Sequence, residues 1–231
     1  RNELEISTDV PVIGLFARIH PMKDHTTFIN AARILVDLIP DVKFICAGAT
    51  SEGYSQLESD IKKRALDLDL DKHILWLGSR NDPERLMVAC NITTLTSDSG
   101  EGFPNAVAES AACGVLCVAT DIGDTSNIVS NLIAVVSPKN PNALAVAWQS
   151  ALQLDPNEKS RIALKMRQSI IDRFSCENPK ATFVKKSPGE KSKNTFLAIS
   201  PRKMTFDHPS IFFLKIQSHL LLLKILMRNK N

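Results

Sequence analysis

VIGLFARIHPMKDHTTFINAARILVDLIPDVKFICAG, residues 12–48, decides the fold. Its two ends, VIGLFAR (12–18) and VKFICAG (42–48), are short and almost wholly apolar, as strands covered on both faces should be. Between them, DHTTFINAARILVDLIP brings back Phe28, Ala31, Ala32, Leu35 and Leu38 at helical spacing. That pattern predicts a helix with Asp24 as its cap and Pro40 as its stop. Strand, helix and strand in this order make a βαβ unit, which requires a parallel sheet.

The alternation continues outward from this unit. HILWLG (73–78), ITTLTS (92–97), VLCVAT (115–120) and IAVV (133–136) read as further strands. YSQLESDIKKRALDL, PERLMVAC and AVAESAAC read as the helices between them. NALAVAWQSALQL and EKSRIALKMRQSIIDRF then close the domain near residue 175. The expected fold is α/β, a doubly wound parallel sheet in one domain over residues 1–177.

Composition agrees with a packed domain. With 44% hydrophobic and 23% charged residues, collagen, wholesale disorder and a disulfide scaffold are excluded. The five cysteines (Cys46, Cys90, Cys113, Cys117, Cys176) form no C-x-x-C pair, and several sit in apolar runs, so they read as reduced and structural. The opening RNELEISTDVP has no basic segment followed by an apolar one, which makes a cytoplasmic location the expectation.

In a doubly wound sheet, ligands lie beyond the carboxyl ends of the strands, where loops and helix N-termini supply donors to anions. Directly after the first strand, ARIHPMKDH places Arg18 at the strand end and Lys23 at the start of a helix. A planar fork of donors and a compact charge together suit a diphosphate, although basic residues near helix starts are often merely solvated. The fourth strand leads into SDSGEGFPNAVAESAACGVLCVATDIGD (97–124). Here Glu101 lies in a loop flanked by Gly100 and Gly102, and Glu109 lies inside a helix beginning around Pro104, a residue suited to a first helical position. Glycines let the backbone approach a ligand. One carboxylate can accept from both hydroxyls of a ribose, and the other can orient the hydroxyls of an attached sugar.

Arg18, Lys23 and the E-x7-E pair Glu101 and Glu109, followed by ATDIGD, resemble the group 1 (family 4) retaining glycosyltransferases over about residues 10–175. The resemblance implies a Rossmann-like domain that forms the C-terminal, donor-binding half of a two-domain GT-B enzyme. It further implies that Arg18 and Lys23 bind the donor diphosphate, that Glu101 contacts the sugar and that Glu109 holds the ribose. Gly102, Phe103, Pro104 and Asn105 would line the sugar and phosphate positions. The donor would be a nucleotide diphosphate sugar, most often a UDP-sugar, transferred with retention and without a bound metal or other cofactor. Asp124 and Asn127 stand where many relatives carry glycine and glutamate, and Asn127 leaves a secondary contact unaccounted for.

Rival readings carry less. DLDLD (67–71) holds two D-x-D triplets, but it precedes a strand instead of following one, so the carboxylates read as solvated. Two acids could serve a glycosidase, yet a hydrolase has no use for a diphosphate cradle. His20, His25 and His73 show no partner in sequence, and His25 reads as packing or capping at its helix start. No G-x-G-x-x-G follows a strand, which argues against a nicotinamide or flavin site. No nucleic-acid partner is expected.

The +3 balance divides unevenly, with 17 Lys and Arg against 23 Asp and Glu through residue 178, and 11 against 2 beyond it. KKSPGEKSKN reads as a linker, and PSIFFLKIQSHLLLLKILMRNKN, interrupted by Lys215, Gln217, His219 and Lys224, as too broken to cross a bilayer. The tail, residues 178–231, reads as a shifted frame or fused end in preference to a helix lying peripherally on the membrane's inner face. In the resembling family a sugar or lipid-linked acceptor is held by a preceding domain. Such a domain is expected to be missing here, and the alternative function is a catalytically silent nucleotide-sugar-binding module.

Overall fold

A computed structural model of the chain describes residues 1–129 and 134–174. The expected boundary after residue 177, Cys176 and the whole tail lie outside them, as does Ile133 of the expected sixth strand. Residues Arg1–Gln168 make one compact unit, and residues 169–174 continue its last helix.

Six strands form one parallel sheet: β1 (Val12–Phe16), β2 (Lys43–Ala47), β3 (Ile74–Gly78), β4 (Ile92–Leu95), β5 (Leu116–Thr120) and β6 (Ala134–Val136). Their order in space is β3-β2-β1-β4-β5-β6, the doubly wound, Rossmann-like arrangement. The helices are α1 (His25–Leu38), α2 (Ser55–Asp67), α3 (Pro83–Ala89), α4 (Asn105–Cys113), α5 (Thr125–Val129), α6 (Pro141–Gln153) and α7 (Pro156–Phe174). Helix α1 contacts α2 and α6, while α3 contacts α4 and α4 contacts α5, so the sheet is covered on both faces. That coverage explains why β1, β4 and β5 carry almost no exposed residue.

Helix α1 follows from its sequence. Asp24 accepts from the Thr27 backbone N–H at 3.0 Å, and Phe28, Ala31, Ala32 and Leu35 are fully buried. Leu38, expected on the same face, is the last residue of the helix and is 52% exposed. Trp148 of α6 meets Phe28 and Phe44 at ring-centroid distances of 5.5 and 5.9 Å, and all three are fully buried. Helix α6 shows the usual start signal, with Pro141 at its first position and Asn140 accepting from the Ala143 N–H at 3.0 Å.

The central strand β4 is less apolar than a doubly covered strand needs to be, and its hydroxyls are satisfied internally. Thr94 Oγ1 donates to the Val118 carbonyl at 2.8 Å and accepts from Trp148 Nε1 at 3.2 Å. Thr93 pairs with the Ser110 hydroxyl of α4. Thr94→Val removes a shared partner from two buried groups, and a loss of about 1–3 kcal/mol of stability is expected by urea unfolding.

Several boundaries differ from the sequence reading. Strand β1 stops at Phe16 and β4 at Leu95, each two residues short of expectation; the β1–β4 ladder ends at Leu15 and Thr94, while the chain after β1 stays bonded to the segment after β2 through Ile19 and Ala49. Pro104 caps α4 instead of occupying its first turn. Helix α5 and a 3-10 turn at Pro21–Lys23 were not expected.

Candidate functional site

Strand β1 lies between β2 and β4, so the chain leaves it toward one side of the sheet, while the segment after β4 runs to the other. By the general rule for doubly wound sheets, the ligand crevice belongs where these two loops diverge, at the carboxyl ends of β1 and β4. On the β1 side, Ile19 N–H donates to the Ala49 carbonyl at 2.9 Å, which fixes Arg18 beside the loop after β2. His20 opens the 3-10 turn by accepting from the Met22 N–H at 3.3 Å through its ring Nδ1. Asp24, at φ 43°, then swings the chain into α1. Lys23 therefore sits at a sharp corner of the chain, beside the carboxyl end of β1.

On the β4 side, Glu101 forms an ion pair with Lys23 across the crevice. The same oxygen, Oε1, also accepts from Ser97 Oγ at 2.6 Å. The pair is well covered, with side-chain exposures of 17% for Lys23 and 10% for Glu101. Two further links stitch the loops together: Thr96 Oγ1 donates to the Lys23 carbonyl at 2.7 Å, and Asp98 N–H to the Met22 carbonyl at 3.0 Å.

A third loop, after β5, supports the second. Thr120 Oγ1 donates to the Ser97 carbonyl at 2.7 Å, and Asp124 N–H to the Gly102 carbonyl at 3.0 Å. Gly123 makes this approach possible. It adopts φ 59°, and a Cβ there would lie 2.3 Å from the Glu101 carbonyl oxygen. Gly100, at φ 69°, similarly leaves room for Met22, whose Cε would lie 2.1 Å from an added Cβ. From the loop after β6, Lys139 pairs with Asp98 at 3.0 Å. The Ser99 hydroxyl and then Lys139 hold the Asp98 carboxyl below the usual range.

Of the residues singled out from sequence, the structure brings Lys23 and Glu101 into direct contact. Arg18 is exposed at the strand end. Gly102 and Asn105 are exposed, and between them Phe103 is half-buried and Pro104 buried. Glu109, half-buried, is the fifth residue of α4, farther along that helix from the crevice. Sequence reasoning missed Thr96 and Ser97, which hold Lys23 and Glu101, and Lys139, which pairs with Asp98 of the same loop. Thr96 and Ser97 do carry the right signal, hydroxyls at the carboxyl end of a strand.

The residues set aside behave as structural groups. His73 Nδ1 lies 2.9 Å from the Val42 carbonyl oxygen. His25 is buried and its pKa is lowered to about 4, by burial first and then by Lys23. With Cys46, Glu58, Lys62 and Trp76 it lines a cavity of about 310 Å³ over the ends of β1, β2 and β3, beside the crevice. Asp67, Asp69 and Asp71 are exposed at the opposite end of the sheet, before β3. Cys46, Cys90, Cys113 and Cys117 are free, and burial pushes Cys113 up to about 11 and Cys90 and Cys117 to about 12. Such thiols are poor nucleophiles. Among the described residues no three His, Cys, Asp or Glu side chains converge as metal ligands, and no helix is long and apolar enough to cross a membrane.

A parallel doubly wound sheet, with a cation and a carboxylate joined at its switch point, defines a Rossmann-like domain, an architecture whose ligands bind at that rim. Comparison with known proteins makes this specific. The profile of the family described as "Glycosyl transferases group 1" matches residues 1–169. The UDP-Gal:alpha-D-GlcNAc-diphosphoundecaprenol alpha-1,3-galactosyltransferase of Escherichia coli is 31% identical over 123 residues, which cover 52% of this chain and 30% of that protein. Among solved structures, Anabaena Alr3699/HepE in complex with UDP and glucose superposes with a TM-score of 0.70 at 25% identity, over 75% of this chain and 46% of that one. The C-terminal domain of a Glycosyl Transferase Group 1 Family Protein (LpcC) from Francisella tularensis shares the fold, with a TM-score of 0.64 at 22% identity over 73% of this chain and 89% of that one. The chain belongs to the group 1 glycosyl transferases, and its fold is that of a domain of the GT-B enzymes. It spans less than half the length of the Escherichia coli and Anabaena proteins.

Proposed function

We propose that this chain is the donor-binding domain of a retaining glycosyltransferase that takes a nucleotide diphosphate sugar, with UDP as the nucleotide, and needs no bound metal. The observation that carries the reading is the Lys23–Glu101 pair at the switch point, with Arg18 exposed at the adjoining strand end. These are the groups that a leaving diphosphate and its sugar require. As the glycosidic bond breaks, negative charge gathers on the diphosphate, and fixed cations neutralise it without reorganising. Arg18 supplies a forked donor set and Lys23 a point charge. Glu101 accepts from sugar hydroxyls, the 102–105 loop shapes the sugar and phosphate positions, and Glu109 takes the ribose diol.

The Escherichia coli relative is named for a UDP-Gal donor and a diphosphoundecaprenol-linked acceptor, and the Anabaena protein was solved with UDP and glucose. By analogy the acceptor is a sugar or a lipid-linked sugar held by a separate domain, so reacting groups from two domains meet in a closed, dry cleft.

The test is calorimetric titration with UDP and UDP-sugars. The chain should bind UDP, and Arg18→Ala and Lys23→Ala should each weaken it by about tenfold, the scale of one charge-assisted hydrogen bond. The same substitutions at Arg64 and Arg161, exposed cations of α2 and α7 remote from the crevice, should leave it unchanged. Failure of UDP to bind at millimolar concentration sinks the assignment.

A further inference from the structure

Lys23 has two prospective partners. Its ammonium is engaged by Glu101, whose Oε1 is held in place by Ser97 at 2.6 Å. The Lys23 main chain is fastened to the same loop through Thr96, so neither residue separates from the other by a simple loop swing. A diphosphate must therefore take the ammonium from a carboxylate that stays close by.

We propose that Glu101 discriminates between a sugar-bearing donor and the bare nucleoside diphosphate, by occupying Lys23 whenever no sugar is present to engage the carboxylate. The inference rests on the donor-site reading given above. A sugar ester of the diphosphate brings hydroxyl donors, which satisfy Glu101 when Lys23 turns to the phosphates. The bare diphosphate brings none and carries more negative charge. Its binding leaves Glu101, nine-tenths covered, with Ser97 as its remaining donor and a like charge beside it. An ionised group taken from its partner in a shielded place loses far more than one at the surface. The consequence is selective: Glu101 opposes the spent nucleotide and tolerates the charged donor. A domain built this way expels its product after transfer and is not blocked by it.

Existing contacts favour an electrostatic origin over a steric one. The pair joins two loops that Thr96, Asp98 and Thr120 already hold through main-chain carbonyls, so the loops do not depend on the ion pair for their positions. Neutralising Glu101 should change which ligand is preferred without dissolving the site.

The experiment titrates the full chain with UDP, UDP-glucose, UDP-galactose and UDP-N-acetylglucosamine, and takes the sugar nucleotide that binds wild type most tightly as the donor. Glu101→Gln keeps the shape and removes the charge, and Glu101→Ala removes both. Both should bind UDP about fivefold or more tightly than wild type, while donor affinity stays level or falls, so that the ratio of the two shifts by about tenfold. A gain in affinity is not something a damaged fold produces. If wild type binds UDP and both variants bind it no more tightly, the discrimination by Glu101 is wrong and the donor site stands. If wild type binds none of the four ligands, the donor site itself is wrong and this inference goes with it.

Discussion

Replacing Trp148 by alanine is expected to lower the unfolding free energy by about 4 kcal/mol, the usual cost of deleting a buried aromatic ring. Three observations set that size. The side chain is fully buried, it meets Phe28 and Phe44 edge-on or tilted, and its Nε1 reaches Thr94 Oγ1 at 3.2 Å. The ring joins α6 to α1 and to the two strands β2 and β4, so nothing nearby can collapse into the gap without shifting an element. Denaturant unfolding followed by circular dichroism measures the loss, and the melting temperature should fall by on the order of 10 °C. Nucleotide affinity should stay within about twofold of wild type well below that temperature, because the Lys23–Glu101 contact is held by hydrogen bonds at the far ends of β1 and β4. A large loss of binding with no loss of stability would show that the core and the site are coupled in a way these contacts do not provide.

The inner strands were legible because they are covered on both faces and so read as largely apolar runs; β2 is clear from KFICA alone. Strand ends were not, since apolarity continues past the last ladder hydrogen bond. ITTLTS looked like one strand, yet Thr96 and Ser97 have left the sheet and donate to Lys23 and Glu101. Helix α5 escaped notice because five residues are too few to show a 3.6-residue period. The 3-10 turn before α1 depends on the His20 ring and on Asp24 in a left-handed conformation, neither of which follows from the spacing of apolar residues. For the site, the residue types and their positions after strands could be read directly. That Lys23 meets Glu101 could not, since the contact between residues 78 positions apart arises only because β1 and β4 are neighbours in the sheet. Lys139 was invisible for the same reason: its partner Asp98 lies across the sheet, on a loop with which it shares no local pattern.

The second large effect expected is a loss of stability by up to about 3 kcal/mol on moving from pH 7 to pH 4, traceable to the single side chain of His25. Its imidazole is 3% exposed, its Nδ1 has no hydrogen-bond partner among the described residues, and Lys23 stands two residues away. Burial foremost, and then the Lys23 charge, lower its pKa to about 4 in the folded chain. In the unfolded chain it returns to about 6.5. Above pH 6.5 the ring is neutral in both states and contributes no pH dependence. Between about 6.5 and 4 the unfolded chain takes up a proton that the folded one refuses, so unfolding is favoured progressively as pH falls. Below about 4 both states are protonated and this contribution stops growing. Glu58 and Lys62, which line the same cavity, are paired with each other at 2.7 Å, so the carboxylate is not free to stabilise an imidazolium. Urea unfolding at half-unit pH steps, wild type against His25→Leu, isolates the effect, because every other titrating group is common to both chains. The variant's stability curve should be flatter between pH 6.5 and 4, and the two curves should converge or cross toward the acid end. Parallel curves would mean that the folded chain accommodates a charged His25, and that the corner carrying Lys23 is more open to water than its packing indicates.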